Sequence, residues 1–264
     1  MKKINDVKLY LLDMDGTVYL GENEIPGAFD TINTLKKMGK KICFLTNNSS
    51  KSQQAYVEKL AKMGLDVSKD EIYTSGMATS EFILKKYPNK KIFLLGTDTL
   101  KEEISSYGIE IVDYNKADVA VLGFDTSLTY ENLYKFCLML LDGKDYIATH
   151  PDNVCPAPLG DMPDVGSFIK MIEVATKRLP DYICGKPYSI MANCIKDRFK
   201  LESYEIAMVG DRLYTDTAFG INNDFYSILC LSGETTKKMF VDSKMNPNLV
   251  VKDITEIPNK IKNK

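Results

Sequence analysis

Short apolar runs alternate with amphipathic stretches along this chain. Val7, Leu9, Tyr10, Leu11 and Leu12 form the first run, interrupted only by Lys8 and broken off at Gly16. A run this short, apolar at successive positions, predicts a strand in a sheet covered on both faces. Val18-Tyr19-Leu20 and Glu24-Ile25 flank Gly21-Glu22-Asn23, the pattern of a small hairpin. Ala28, Ile32, Leu35 and Met38 then recur at helical spacing, with Gly39 as a stop. Lys41-Ile42-Cys43-Phe44-Leu45 predicts a second strand. Tyr56, Leu60 and Met63 mark a helix ending at Gly64, and Ile72-Tyr73-Thr74 a third strand.

The same alternation continues further along. Residues 91–95, 109–112, 119–122 and 146–148 read as strands, and 100–107, 131–141 and 167–178 as helices. Tyr182-Ile183-Cys184-Gly185-Lys186-Pro187 leads into a helix through Ile190, Cys194 and Ile195. Strands at 206–211, 226–231 and 249–251 follow, with a short helix at 216–222. Strand alternating with helix predicts an α/β fold with parallel pairing and right-handed crossovers. Ligands of such sheets sit beyond the carboxyl ends of the strands.

Polar residues at strand ends divide the chain. They occur at Asp13, Asp15 and Thr46 and again at Asp211, and hardly at all in between. This predicts one sheet built from residues 1–77 and 181–264, with residues 78–180 inserted as a second domain. Residues 260–264 read as a basic chain end.

The composition is that of an ordinary globular protein: 264 residues, 44% hydrophobic, 27% charged, formal charge −2. Lysines are interleaved with acids, so no basic field attracts nucleic acid. No run approaches the ~20 apolar residues of a membrane span. Met1-Lys2-Lys3-Ile4-Asn5-Asp6 enters the first strand without a signal-peptide pattern, and the expected location is the cytoplasm. The six cysteines show no zinc-like spacing, and the single histidine, His150, excludes a multi-histidine metal site. Homo-oligomerisation is left open.

The strand ends carry the candidate chemistry. Side chains alternate along a strand, so Asp13 and Asp15 are expected to point the same way at its end. Gly16 then lets backbone N–H groups turn towards a ligand. Thr46-Asn47, Lys186, and Asp211 with Asp216 offer matching groups elsewhere. Lys186 precedes Pro187, and proline is favoured at a helix N-terminus, which predicts an ammonium beside the positive end of a helix dipole. Several carboxylates without histidine suit a hard cation, Mg²⁺ above all. Taken singly, Thr46 could be a strand-end cap, Lys186 a solvated lysine and Asp216 a helix N-cap.

Jointly, Asp13-Met14-Asp15-Gly16-Thr17, Thr46, Lys186, and Gly210-Asp211 with Asp216 resemble the four motifs of the haloacid dehalogenase-like phosphohydrolase superfamily. Leu45-Thr46-Asn47-Asn48-Ser49, Gly185-Lys186-Pro187 and Gly210-Asp211-Arg212-Leu213-Tyr214-Thr215-Asp216 further resemble its NagD-like, or 4-nitrophenylphosphatase-like, branch. The resemblance implies a Rossmann-like three-layer core with a mostly parallel sheet, plus an inserted α/β cap domain. It also implies a Mg²⁺-dependent phosphatase acting through an aspartyl-phosphate. Asp13 is then the nucleophile and Asp15 the acid and base. Asp13, the Asp15 carbonyl and Asp211 would bind Mg²⁺, while Thr46, Asn47 and Lys186 hold the transferring oxygens and Asp216 supports them.

A small phosphorylated metabolite is the implied partner: a sugar phosphate, nucleoside monophosphate, glycerol phosphate or pyridoxal phosphate. The loop from Thr149-His150-Pro151-Asp152 to Gly166-Ser167 departs from the branch, with His150 where Asn is expected. His150 reads as a structural hydrogen-bonding residue. By resemblance, the loop near Cys155-Pro156 faces the core site and helps choose the leaving group. Two rivals come from other classes. A receiver-like phosphoacceptor module uses similar residues but has no cap and no acid two positions after the nucleophile. A non-catalytic phosphometabolite-binding protein has no need of both Asp13 and Asp15.

Overall fold

The structure, a computed structural model, describes residues 2–157 and 159–261. Residues 262–264 of the basic chain end, and residue 158 of the 149–167 loop, lie outside the described residues. Two compact units are present. One comprises the chain up to Thr46, Gln53–Tyr73 and the chain from Lys186 onward, and the other Asn47–Ser52 and Thr74–Gly185.

The first unit is organised by a six-stranded sheet. Its order is Leu249–Val251, Tyr226–Cys230, Ile206–Gly210, Leu9–Leu12, Lys41–Thr46, Ile72–Thr74. Leu9–Leu12 pairs in parallel with Ile206–Gly210 on one side and Lys41–Thr46 on the other, with Leu12 beside both Val209 and Phe44. The α/β, mostly parallel fold expected from the alternation is the one found. All four side chains of Leu9–Leu12 are fully buried, as a strand covered on both faces requires. Each such burial contributes roughly 1.5–3 kcal/mol. The helix Ala28–Lys37 buries Ala28, Ile32 and Leu35 at helical spacing. Its N-cap, Gly27, has no side chain to offer the first turn, and the Glu24 carboxylate accepts the Phe29 N–H instead at 2.8 Å.

The second unit has its own sheet and core. Tyr182–Ile183, Asp145–Ala148, Val119–Leu122 and Ile92–Leu95 pair in that order, all in parallel. Phe136, Tyr146, Phe168 and Ile172 are among the side chains that fill the core beside it.

Several elements differ from expectation. Residues 109–112 are not a strand: Ile111 makes one isolated bridge to Ile92 before the chain turns away at Asp113. The helix Ser75–Lys86 has no clear apolar period in the sequence. Its first turns bury polar residues instead. Thr79 and Ser80 donate their hydroxyls to the Ser75 and Gly76 carbonyls at 2.7 and 2.9 Å, which satisfies them without water. A hairpin of Val154–Cys155 with Met162–Pro163 and a helix at Lys237–Ser243 also lack a legible pattern. The stretch expected as a helix at 216–222 is a wider helical turn, Leu213–Thr217, running into Ala218–Asn222.

Candidate active site

Asp13 follows the central strand and donates its backbone N–H to Val209 at 2.8 Å, so the sheet fixes its position. The chain then turns. Val18 N–H returns to the Met14 carbonyl, and Gly16 adopts φ +87°. A side chain at Gly16 would also run into the Asp211 carboxylate, so glycine serves both the turn and the close approach. Asp15 is exposed, and its backbone bridges to Tyr19.

Lys186 arrives from more than 170 positions away and is buried. Its ammonium lies 2.7 Å from Asp13 Oδ1, 2.6 Å from Asp216 Oδ1 and 3.5 Å from the Leu45 carbonyl. The expected helix N-terminus beside it is displaced. The helix begins at Ser189 with Tyr188 as N-cap, and Pro187, joined to Lys186 by a cis peptide, sits in the preceding turn. The contacts of the Lys186 ammonium include two carboxylates and the Leu45 carbonyl.

Asp211 follows the strand Ile206–Gly210, and Asp216 lies in the helical turn after it. Asp216 Oδ2 accepts the Arg212 N–H at 3.2 Å while Oδ1 takes Lys186. Gly210 leaves the room that Asp216 occupies, since a Cβ there would meet its carboxylate. Carboxylate oxygens of Asp13, Asp211 and Asp216 lie within 4.8 Å of one another.

These neighbours set the electrostatics. Burial, then the Asp216 charge, push the Asp13 carboxyl above its usual range, with Lys186 opposing. Burial and Asp216 also raise Asp211. Burial alone would lower the Lys186 ammonium, but Asp13 and Asp216 outweigh it and hold it above its ordinary value. When all are ionised, three carboxylates face one ammonium, and two negative charges remain uncompensated in a largely buried place. Leaving them so is costly. Asp211 Oδ1 is moreover buried with no hydrogen-bond partner among the described residues. Surplus negative charge and an orphaned carboxylate oxygen fit a hard divalent cation.

Thr46 ends the Lys41–Thr46 strand and is buried. Asn47, next in the chain, opens the second unit. There its carbonyl accepts the Ser75 hydroxyl at 2.5 Å, and its side-chain amide donates to both Asp152 oxygens at 3.1 and 3.2 Å. That unit also contains His150, expected from the sequence to be a structural hydrogen-bonding residue, and its contacts fit that role. His150 is fully buried after Asp145–Ala148, with Nδ1 3.0 Å from Thr149 Oγ1 and Nε2 2.9 Å from Asp164 Oδ1.

Sequence reasoning missed the segment after Tyr226–Cys230. Ser232 Oγ donates to the Gly16 carbonyl at 2.7 Å, and the Glu234 N–H donates to Asp211 Oδ2 at 2.6 Å. The only local signal is Ser-Gly-Glu after an apolar run, which is ordinary turn chemistry.

A parallel α/β sheet with an acidic, lysine-anchored centre at its carboxyl edge defines a class of phosphate-handling enzymes. Comparison with known proteins makes the class specific. The profile described as haloacid dehalogenase-like hydrolase matches residues 10–110, and a HAD-hydrolase-like profile matches residues 183–257. An acid sugar phosphatase of Staphylococcus saprophyticus is 34% identical over 254 residues, covering 96% of this chain and 98% of its own. A 4-nitrophenylphosphatase of Thermotoga maritima superposes with a TM-score of 0.94 at 44% identity, covering 98% of this chain and 99% of its own. NagD from E. coli K-12 superposes with a TM-score of 0.87 at 27% identity, covering 95% and 98%. The chain belongs to the haloacid dehalogenase-like hydrolase family, in its NagD-like and 4-nitrophenylphosphatase-like branch, and is a phosphatase of small phosphate esters. No helix among the described residues is long and apolar enough to cross a membrane.

Proposed function

We propose that the chain hydrolyses phosphate monoesters of small metabolites in two displacements at Asp13, with sugar phosphates the favoured class. The observation that carries this reading is Asp13 beside Lys186, at 2.7 Å, within the carboxylate cluster. A carboxylate oxygen of Asp13 attacks phosphorus and forms an aspartyl-phosphate as the bond to the leaving oxygen breaks. Asp15 gives its proton to that oxygen. It then takes a proton from the water that attacks the aspartyl-phosphate, releasing inorganic phosphate and regenerating Asp13. Lys186, the Thr46 hydroxyl and the Asn47 N–H hold the transferring oxygens, and Asp216 keeps Lys186 in place. Asp13, the Asp15 backbone carbonyl and Asp211 would hold Mg²⁺, which when bound offsets the repulsion between a carboxylate and a phosphate dianion.

The second unit is assigned the choice of leaving group. The acid sugar phosphatase relative supports a sugar phosphate over the other metabolites. All the residues are needed together, because enzymes accelerate phosphate-monoester hydrolysis by up to ~10²¹-fold. The test is phosphate release from 4-nitrophenyl phosphate and from a panel of sugar phosphates with Mg²⁺, wild type against Asp13→Asn. Equal rates for the two proteins would sink the mechanism, and a panel without sugar-phosphate turnover would sink the substrate class.

A further inference from the structure

The segment Ser232-Gly233-Glu234 joins the two acidic loops of the first unit. Ser232 Oγ donates to the Gly16 carbonyl at 2.7 Å, and the Glu234 N–H donates to Asp211 Oδ2 at 2.6 Å. Between them, Gly233 passes so close that a Cβ would meet both the Asp211 carboxylate and Gly16 Cα. The Glu234 side chain is exposed, yet it is held at both oxygens. Arg212 Nε lies 3.1 Å from Oε2, and Tyr214 OH donates to Oε1 at 2.5 Å. Arg212 and Tyr214 belong to the loop that begins with Asp211, so a ring of contacts closes around that residue.

The ring has a chemical consequence for Asp211. A hydrogen bond from a backbone N–H to an ionised carboxylate is short and strong, and it fixes the carboxylate's rotation. With Oδ2 engaged by Glu234, Oδ1 is left buried and without a hydrogen-bond partner among the described residues. One oxygen is anchored so that the other stays available. Groups that orient a metal-binding carboxylate in this way change metal affinity by roughly 10–100-fold when removed.

We infer that Ser232-Gly233-Glu234 is an outer brace that presents Asp211 Oδ1 to a divalent cation, with Glu234 as its positioning residue. The brace rests on the reading of Asp211 as a metal-holding residue. Glu234 touches no reacting atom. It acts through its own N–H, which its tethered side chain keeps on Asp211.

Calorimetric titration of the full chain with MgCl₂, without substrate, tests this. Glu234→Ala is expected to raise the Mg²⁺ Kd about tenfold. The Mg²⁺ concentration for half-maximal phosphatase activity should rise by the same factor. Glu234→Gln, which still accepts from Tyr214, should recover most of the loss. Thermal unfolding without Mg²⁺ should stay unchanged in both, because the side chain is exposed. Asp211→Asn is run beside them. If it loses Mg²⁺ binding while Glu234→Ala binds within about twofold of wild type, the brace is overturned and the metal assignment stands. If Asp211→Asn binds Mg²⁺ as wild type does, the metal assignment falls and the brace falls with it.

Discussion

Lys186 and Asp216 form a buried ion pair of 2.6 Å between residues thirty positions apart. The pair also holds Asp13, because the same ammonium reaches both carboxylates. Breaking a buried pair by removing one partner typically costs 3–5 kcal/mol, since the other charge is left uncompensated. Lys186→Met is therefore expected to lose about 3 kcal/mol of unfolding free energy without Mg²⁺, measured by urea denaturation. Its phosphatase rate at saturating Mg²⁺ should fall at least ~100-fold, a loss of the size seen when one preorganised charge is removed.

Asp13→Asn is expected to behave in the opposite way. The Asp13 carboxyl is held above its ordinary range by burial and by Asp216. A carboxyl raised on folding contributes stability below its unfolded pKa and loses that contribution as pH rises through the folded value. At pH 7, inside the window from 3.8 to about 8, most of that contribution has been lost, so the carboxyl is a burden on the metal-free fold. Asp13→Asn should unfold at an equal or higher temperature than wild type at pH 7 without metal, while 4-nitrophenyl phosphate turnover falls at least ~10³-fold. A lower unfolding temperature would contradict the electrostatic reading.

Glu103 offers a pH test away from the site. Burial raises its carboxyl to about 7, with the Thr74 hydroxyl, 3.0 Å away, acting against the shift. The folded state therefore binds the extra proton between the ordinary value of about 4.5 and about 7. Stability from this group is complete below that window and declines as pH rises through it. Glu103→Gln should flatten the decline in urea-unfolding free energy between pH 4.5 and 7. An unchanged slope would refute the assignment.

Gly16→Ala should be costly on two counts. Its φ of +87° disfavours any side chain by about 1–2 kcal/mol, and the new Cβ would displace the Asp211 carboxylate. Expected are a lower unfolding temperature and a weaker Mg²⁺ response, read by thermal unfolding with and without 10 Kd equivalents of Mg²⁺. That addition should stabilise wild type by about 1.4 kcal/mol and the variant by less.

The sheet was legible where burial follows a local period. Residues 9–12, 42–45 and 206–209 read as strands because every position is apolar enough for a two-sided core. The helix Ser75–Lys86 was not legible, because its buried face is partly Ser and Thr satisfied by back-bonding to its own carbonyls. Residues 109–112 look like a strand for the converse reason. Their apolar pattern is right, but among the described residues their strand pairing stops at one bridge, made where Glu110 and Val112 hydrogen-bond to Ile92.

The sequence by itself determined the α/β order and placed acids, a threonine and a lysine at element ends, since those properties depend on residue type and local spacing. Tertiary structure alone decided which of them meet. Parallel pairing of Leu9–Leu12 with Ile206–Gly210 brings the Asp13 and Asp211 loops side by side. Only that convergence leaves two negative charges unbalanced and Asp211 Oδ1 without a hydrogen-bond partner among the described residues. It also decided that Asn47 joins the second unit while Thr46 stays in the first, because Ser75 and Asp152 hold Asn47 there. Long-range contacts such as these have no local period to read: each depends on the pairing of strands far apart in the chain.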